Sequence, residues 1–287
     1  MSIDFAKHFC GEDGYCLDYN EAKIVILPVP YDGTSTWIKG ADKGPEAIIE
    51  ASGTLEMYDI ETESDISQKG IYTLPPISEN TSPELMALAV ENEVNNQFKS
   101  NKFTVLLGGE HSVSIGAFKA YSEKYNDLSI LQLDAHADLR QKYEGSEYNH
   151  ACAMYKAQEY AHIVQVGIRS MCQEEKAFVK TSNMFFRHQI RNNSSWKKDV
   201  LKKLKKNVYL TIDLDVFDTS IMPSTGTPEP DGLLFNDVIE LVKTVANKVN
   251  IVGFDIVELC PNKDNKAPDY LAAKLIYKIL SIIFKNR

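Results

Sequence analysis

The chain has no Cys-x-x-Cys pair. Its five cysteines, Cys10, Cys16, Cys152, Cys172 and Cys260, are odd in number and scattered. They indicate neither a zinc ribbon nor a disulfide framework, and they fit reduced, mostly buried thiols. No apolar run approaches the roughly 20 residues needed to cross a bilayer. The segment Met1 to Phe9 carries Asp4, Lys7 and His8 and lacks the apolar core of a secretory signal. A cytoplasmic protein without a membrane partner is the expectation. Positive charge is in deficit: 31 Lys and Arg against 40 Asp and Glu give a net charge of -9. That disfavours nucleic acid as a partner. There is also no P-loop, internal repeat, low-complexity tract or linker.

What is present is an ordinary globular composition, 44% hydrophobic and 25% charged over 287 residues. This suffices for one large α/β domain, 1–287. Short β-branched runs alternate with helical patterns. Lys23–Leu27, Phe103–Leu107, Leu128–Leu133, Ile163–Val166, Met184–Phe186, Val208–Ile212 and Ile251–Phe254 read as strands. Pro28 and Pro30 are expected to stop the first of them. A glycine-rich loop from Tyr31 to Gly44 follows it. Helices are expected from Gly44, with proline in the first turn, and over Pro83–Phe98, Ser114–Tyr125, His150–Tyr160, Lys197–Lys205, Asn236–Lys248 and Tyr270–Phe284. Within Pro83–Phe98, Leu85, Leu88, Ala89 and Val94 lie on one side, an apolar face. The lysines at 202, 203, 205 and 206 read as a solvated helix face. Strands separated by helices imply βαβ units and a mostly parallel sheet of about seven or eight strands.

Two of these strands end in charge instead of core. The run Asn207–Leu210 continues into Thr211-Ile212-Asp213-Leu214-Asp215. In an extended chain, carboxylates two residues apart share a face. Like charges that close repel unless a cation or strong donors lie between them. The strand before Asp134-Ala135-His136-Ala137-Asp138 ends the same way, and Gly108-Gly109-Glu110-His111 and Asp255-Ile256-Val257-Glu258 end two others. Open α/β sheets bind ligands at the carboxyl ends of their strands. Each Asp alone could be a helix cap or turn former. Together, Asp134, Asp138, Asp213 and Asp215 with His111 and His136 make an oxygen-rich set that favours Mn²⁺ over Zn²⁺. Four carboxylates balance two divalent cations. A metal pair lowers the pKa of a shared water. Glu258 is a candidate for binding a cationic substrate, and the scarcity of Lys and Arg around the clusters tilts away from phosphoryl transfer.

Three motifs, Gly108-Gly109-Glu110-His111-Ser112, Asp134-Ala135-His136-Ala137-Asp138 and Thr211-Ile212-Asp213-Leu214-Asp215, resemble the metal motifs of the ureohydrolases, the arginase/agmatinase family. Pro223 to Pro230, Asp255 to Pro261, and Pro30-Tyr31-Asp32-Gly33-Thr34 with Gly44-Pro45-Glu46-Ala47-Ile48 resemble further segments of that family. The resemblance runs from Lys23 to the end. It implies a three-layer α/β/α domain with a parallel sheet of about eight strands. It implies two Mn²⁺ per subunit, with His111, Asp134, Asp138 and Asp213 on one ion and Asp134, His136, Asp213 and Asp215 on the other. A bridging hydroxide would attack a guanidinium carbon, releasing urea and an amine. Asp138 would orient the hydroxide, Glu258 would pair with the guanidinium, and His150 would shuttle protons, a task suited to an imidazole. The family resemblance also suggests a homo-oligomer, a trimer or hexamer.

Arginases place an asparagine two residues after the last ligand of the second motif. Here Leu139-Arg140 follows Asp138, and the loop from Arg140 to Gly145 resembles agmatinases instead. Agmatine is the expected substrate, putrescine the product, and polyamine biosynthesis the setting. Glu144 and Glu147 make an acidic loop that could suit its ammonium. Thr219, Ser224, Lys43 and Ile49 depart from the family pattern, so guanidinobutyrate and aminopropyl-agmatine stay open. A deacetylase-like amide hydrolase and a metal-stabilised pseudoenzyme are the rival readings.

Overall fold

A computed structural model of the chain describes residues 7–14, 16 and 18–285. Eight strands form one sheet: β1 (Ile24–Val29), β2 (Ile71–Thr73), β3 (Phe103–Gly108), β4 (Leu128–Leu133), β5 (His162–Val166), β6 (Met184–Phe185), β7 (Asn207–Asp213) and β8 (Asn250–Val257). Their order across the sheet is β2-β1-β3-β8-β7-β4-β5-β6. Every pairing in it is parallel. A two-stranded antiparallel ribbon, Tyr58–Asp59 with Ser64–Asp65, lies apart.

The strand period of two sorts side chains between two layers. Ile24, Ile26, Leu131, Leu133, Leu210 and Ile212 join one core. Val25, Leu27, Leu128, Ile130, Ile163 and Tyr209 join the other. Helices α1 (Gly44–Ser52), α5 (Trp196–Leu201), α6 (Phe235–Ala246) and α7 (Ala267–Phe284) cover the first core. Helices α2 (Pro83–Lys99), α3 (Ser114–Lys124) and α4 (Ala153–Tyr160) cover the second. The expected three-layer α/β/α arrangement is present. Among the described residues, no helix is long and apolar enough to cross a membrane.

Four expectations need correction. Strand β1 continues through Pro28, which lies opposite Leu107 of β3. Ile26 and Pro28 turn their carbonyls toward Leu74 and Ile77. The donor that proline lacks therefore faces the β2 side, where the ladder has already ended with Ile26 opposite Thr73. Helix α2 is rotated from the expected face: Met86, Ala87, Val90 and Val94 are buried, while Leu85 and Leu88 are exposed. Gly116 of α3 allows close contact with this face, because a Cβ there would lie 2.0 Å from the Ala87 carbonyl oxygen. The helix expected over Lys197–Lys205 stops at Leu201, so the exposed lysines follow it instead of lining it. The β2 strand, three residues at the sheet edge, and the ribbon were not expected; both are too short for a readable alternation.

Candidate metal centre and its cavity

The central strands β3, β8, β7 and β4 are neighbours, and each ends in polar groups at its carboxyl end. His111 follows β3 in a 3-10 turn that Glu110 caps through Ser112 N–H. This turn passes close to the end of β1. A Cβ on Gly109 would lie 1.9 Å from the Tyr31 carbonyl oxygen, so only glycine fits. After β7 the chain does not stay extended. Asp213 closes the strand, and its Oδ1 accepts from Asp215 N–H (2.8 Å) to cap the turn Leu214–Val216. The two carboxylates meet at one site through this capped turn, not through a shared strand face.

Two groups of ligand-type atoms result, each with its atoms within 4.8 Å of one another: His111, Asp134 and Asp213, then Asp134, His136 and Asp215. Asp134 belongs to both. Its Oδ1 accepts from His136 N–H (2.6 Å) and its Oδ2 from Gln132 Nε2 (2.7 Å). Asp138 Oδ2 lies 3.0 Å from His111 Nδ1, beside Asp134 Oδ2 at 3.1 Å and Asp213 Oδ2 at 3.6 Å. Asp138 itself has φ 52, a left-handed backbone that is uncommon outside glycine. Arg169 ties the surrounding loops together, donating to the backbone carbonyls of Asp215 (2.6 Å), Glu229 (2.8 Å) and Pro230 (2.9 Å).

The hydrogen bonds around His111 test whether this set suits a cation. Thr211 Oγ1 donates to Asp255 Oδ1 (2.6 Å), so it must accept from His111 Nε2–H (2.9 Å). Tyr209 Oη donates to the other Asp255 oxygen (2.9 Å). The neutral ring then keeps its lone pair on Nδ1, which is buried, makes no hydrogen bond and faces three carboxylate oxygens. A lone pair aimed at carboxylates is repelled unless a proton or metal intervenes. The donor set therefore fits a hard divalent cation.

Electrostatics point the same way. Burial, with the charges of Asp215 and Asp138, pushes Asp134 up to about 7. Burial and Asp215 raise Asp213 well above the carboxylate range. Burial would also raise Asp215, but the His136 charge and hydrogen bond outweigh it and hold Asp215 low. Burial opposes charge on His136, yet Asp215 Oδ2 at 2.8 Å helps to raise it to about 10. Without metal, this cluster holds protons to relieve its own repulsion.

A cavity of about 330 Å³ opens over these residues. It is lined by His111, His136, Asp138, Asp213 and Asp215, and also by His150 and Glu258. The fold thus brings His111, Asp134, His136, Asp138, His150, Asp213, Asp215 and Glu258 together at one end of the sheet. Glu258 has φ 68, and its Oε1 accepts from His111 N–H (2.8 Å). Burial and the Glu110 charge push its carboxyl well above the usual range. A cationic ligand would relieve that cost. Trp37 and Ile38 form an exposed apolar rim, and Arg140 packs over the Tyr143 ring at 4.5 Å. Glu144 and Glu147 do not line the cavity. Glu147 pairs instead with Lys156 at 3.0 Å. Thr211 and Asp255 were missed as site residues. The signal was available: polar Tyr209 and Thr211 interrupt a buried strand on one face, and buried polar groups need partners.

The chain matches the arginase-family profile over residues 22–281. An N(1)-aminopropylagmatine ureohydrolase of Synechocystis is 35% identical over 273 residues, covering 91% of this chain and 89% of the relative. An agmatinase of Pyrococcus horikoshii is 34% identical, covering 93% and 94%. The crystal structure of the agmatine ureohydrolase of Thermoplasma volcanium superposes with a TM-score of 0.89 at 32% identity, covering 99% of this chain and 96% of that one. The chain belongs to the arginase family. It is an enzyme, a hydrolase of the arginase fold.

Proposed function

We propose that the protein is a manganese-dependent ureohydrolase that cleaves a linear cationic guanidine into urea and an amine. The observation that carries this is the gathering of four aspartates and two histidines at the ends of β3, β7 and β4, with Glu258 beside them at the end of β8. His111, Asp134, Asp138 and Asp213 would hold one Mn²⁺, and Asp134, His136, Asp213 and Asp215 the other. Such ions, when bound, supply Lewis-acid activation of water at neutral pH. Glu258 binds the guanidinium through a charge-assisted contact, with one oxygen already held by His111 N–H. Asp138 orients the attacking water. His150 delivers a proton to the departing amine.

Agmatine, yielding putrescine, and N1-aminopropylagmatine, yielding spermidine, are both substrates this reading accommodates. Relatives of both names match at similar identity. Either product would belong to polyamine biosynthesis, and the cytoplasm is the proposed location. The family match over most of 1–287 supports reading the chain as one catalytic domain, and a homo-oligomer, trimer or hexamer, is its proposed assembly. The test is urea release by Mn²⁺-loaded protein from agmatine, N1-aminopropylagmatine, guanidinobutyrate and arginine. Release from the two amine-tailed guanidines is expected. No urea from any of the four would overturn the proposal.

A further inference from the structure

The role given to His150 needs one ring nitrogen free to take and return a proton. Which nitrogen that is depends on what the other one touches. His150 opens the turn His150–Cys152, and its Nδ1 lies 3.1 Å from Thr34 Oγ1. Thr34 belongs to the loop after β1. The same hydroxyl oxygen accepts from His150 N–H at 2.9 Å. Its single hydrogen points the other way, to Glu110 Oε1 at 2.9 Å.

Glu110 is 0% exposed. Its Oε1 also accepts from Thr34 N–H (3.3 Å) and Ser112 Oγ (2.8 Å), and its Oε2 from Ser112 N–H (2.8 Å). Two backbone N–H groups and the Ser112 hydroxyl converge on these oxygens as donors to a carboxylate, and the Thr34 hydroxyl donates to Oε1 beside them. With its hydrogen spent on Glu110, Thr34 Oγ1 can meet His150 Nδ1 only as an acceptor. Nδ1 therefore carries the proton, and in the neutral ring Nε2 carries the lone pair. We propose that Thr34 and Glu110 are positioning residues that hold His150 in its Nδ1–H tautomer, leaving Nε2 as the proton-transfer atom in the cavity.

The chain of carboxylate, hydroxyl and imidazole joins three separate parts of the fold: the loop after β1, the turn after β3 and the turn before α4. In the opposite tautomer Nε2 would carry the hydrogen and could not accept one. The arrangement works as an Asp does behind a catalytic His, with a threonine interposed. The inference rests on the proposed role of His150, and its test separates the two.

Urea release by the Mn²⁺-loaded enzyme is measured for Thr34→Val, Thr34→Ser, His150→Ala and the double variant Thr34→Val/His150→Ala, on whichever guanidine the wild type cleaves. Thr34→Val should lower kcat about 10- to 100-fold with little change in KM, and Thr34→Ser should retain activity within about twofold. The double variant should be no slower than His150→Ala alone, because the two residues act as a unit. If His150→Ala costs nothing, the role of His150 fails. If His150→Ala is slow and Thr34→Val is not, or if the two losses multiply, the positioning inference fails while the site stands. A second measurement does not need activity. In ¹⁵N-histidine-labelled, Mg²⁺-loaded protein, the His150 signals, assigned by their loss in His150→Ala, should report an Nδ1–H tautomer in the wild type and a shift away from it in Thr34→Val. An Nε2–H tautomer in the wild type would overturn the proposal.

Discussion

Replacing Thr211 with valine tests whether the hydroxyl behind His111 prepares the metal centre or merely fills the core. The two side chains have nearly the same shape, so packing changes little, and what is lost is two hydrogen bonds. His111 Nε2–H loses its acceptor at 2.9 Å, and Asp255 Oδ1 loses its donor at 2.6 Å. Both groups are buried, at 1% and 0% exposure, so water cannot replace the partner. An unsatisfied buried donor costs about 1–3 kcal/mol, and a lost bond to a charged acceptor about 1.5–3 kcal/mol. Neighbouring losses are not additive, and Tyr209 still holds the other Asp255 oxygen, so about 2–5 kcal/mol is expected in all. A separate effect falls on metal binding. His111 is then free to turn or to change tautomer, and losing such an orienting partner typically weakens a site about 10- to 100-fold. Melting of metal-stripped protein reads the first effect, and calorimetric Mn²⁺ titration of the folded protein reads the second. Thr211→Ser should restore both. Unchanged Mn²⁺ affinity in Thr211→Val, alongside the full loss of stability, would refute the claim that this hydroxyl orients the ligand.

Three further outcomes follow from the same geometry. Glu258→Gln keeps size but removes the charge proposed to pair with the guanidinium; kcat/KM should fall about 10- to 150-fold, the equivalent of one charge-assisted contact, and steady-state kinetics showing no loss would exclude direct substrate binding. Lys278→Met takes the cation from the buried Asp59 carboxylate, whose two oxygens each lie 2.9 Å from Lys278 Nζ and which among the described residues keeps only the Thr62 N–H and hydroxyl as donors, and should cost about 3–5 kcal/mol in urea unfolding while leaving kcat unchanged. Metal uptake should release protons, because in the metal-free protein His136 is raised to about 10 and Asp134 to about 7. Raising the pH from 6 to 8 removes the Asp134 proton and, by mass action, eases displacement of the His136 proton, so Mn²⁺ affinity should rise; calorimetry in two buffers of different ionisation enthalpy would show proton release, and a pH-independent affinity would contradict the assignment.

The difference between what the sequence disclosed and what it hid follows from how each residue acts. The six candidate ligands and Glu258 stood out because carboxylates and imidazoles at the ends of apolar strands are expensive unless something pays their repulsion, and that anomaly is local. Thr34, Glu110, Thr211 and Asp255 are ordinary residue types whose work depends on contacts far along the chain: 76 residues from Thr34 to Glu110, 116 from Thr34 to His150, 100 from His111 to Thr211. No spacing rule reaches across such gaps. The sheet order makes them neighbours, since β1, β3, β8, β7 and β4 lie side by side although β3 and β8 are far apart in the chain. The same principle explains the error at Asp213 and Asp215. Their spacing suggested one strand face, but the strand ends at Asp213, because its carboxylate is better used capping the turn that delivers Asp215. The two histidines are then treated alike by the fold. Thr211 and Asp255 fix the proton of His111 on the nitrogen away from the cluster, and Thr34 and Glu110 fix that of His150 on the nitrogen away from its task. In each case a threonine whose hydrogen is already given to a buried carboxylate can only accept. A conservative change at either threonine should therefore act through an imidazole, without touching metal or substrate itself.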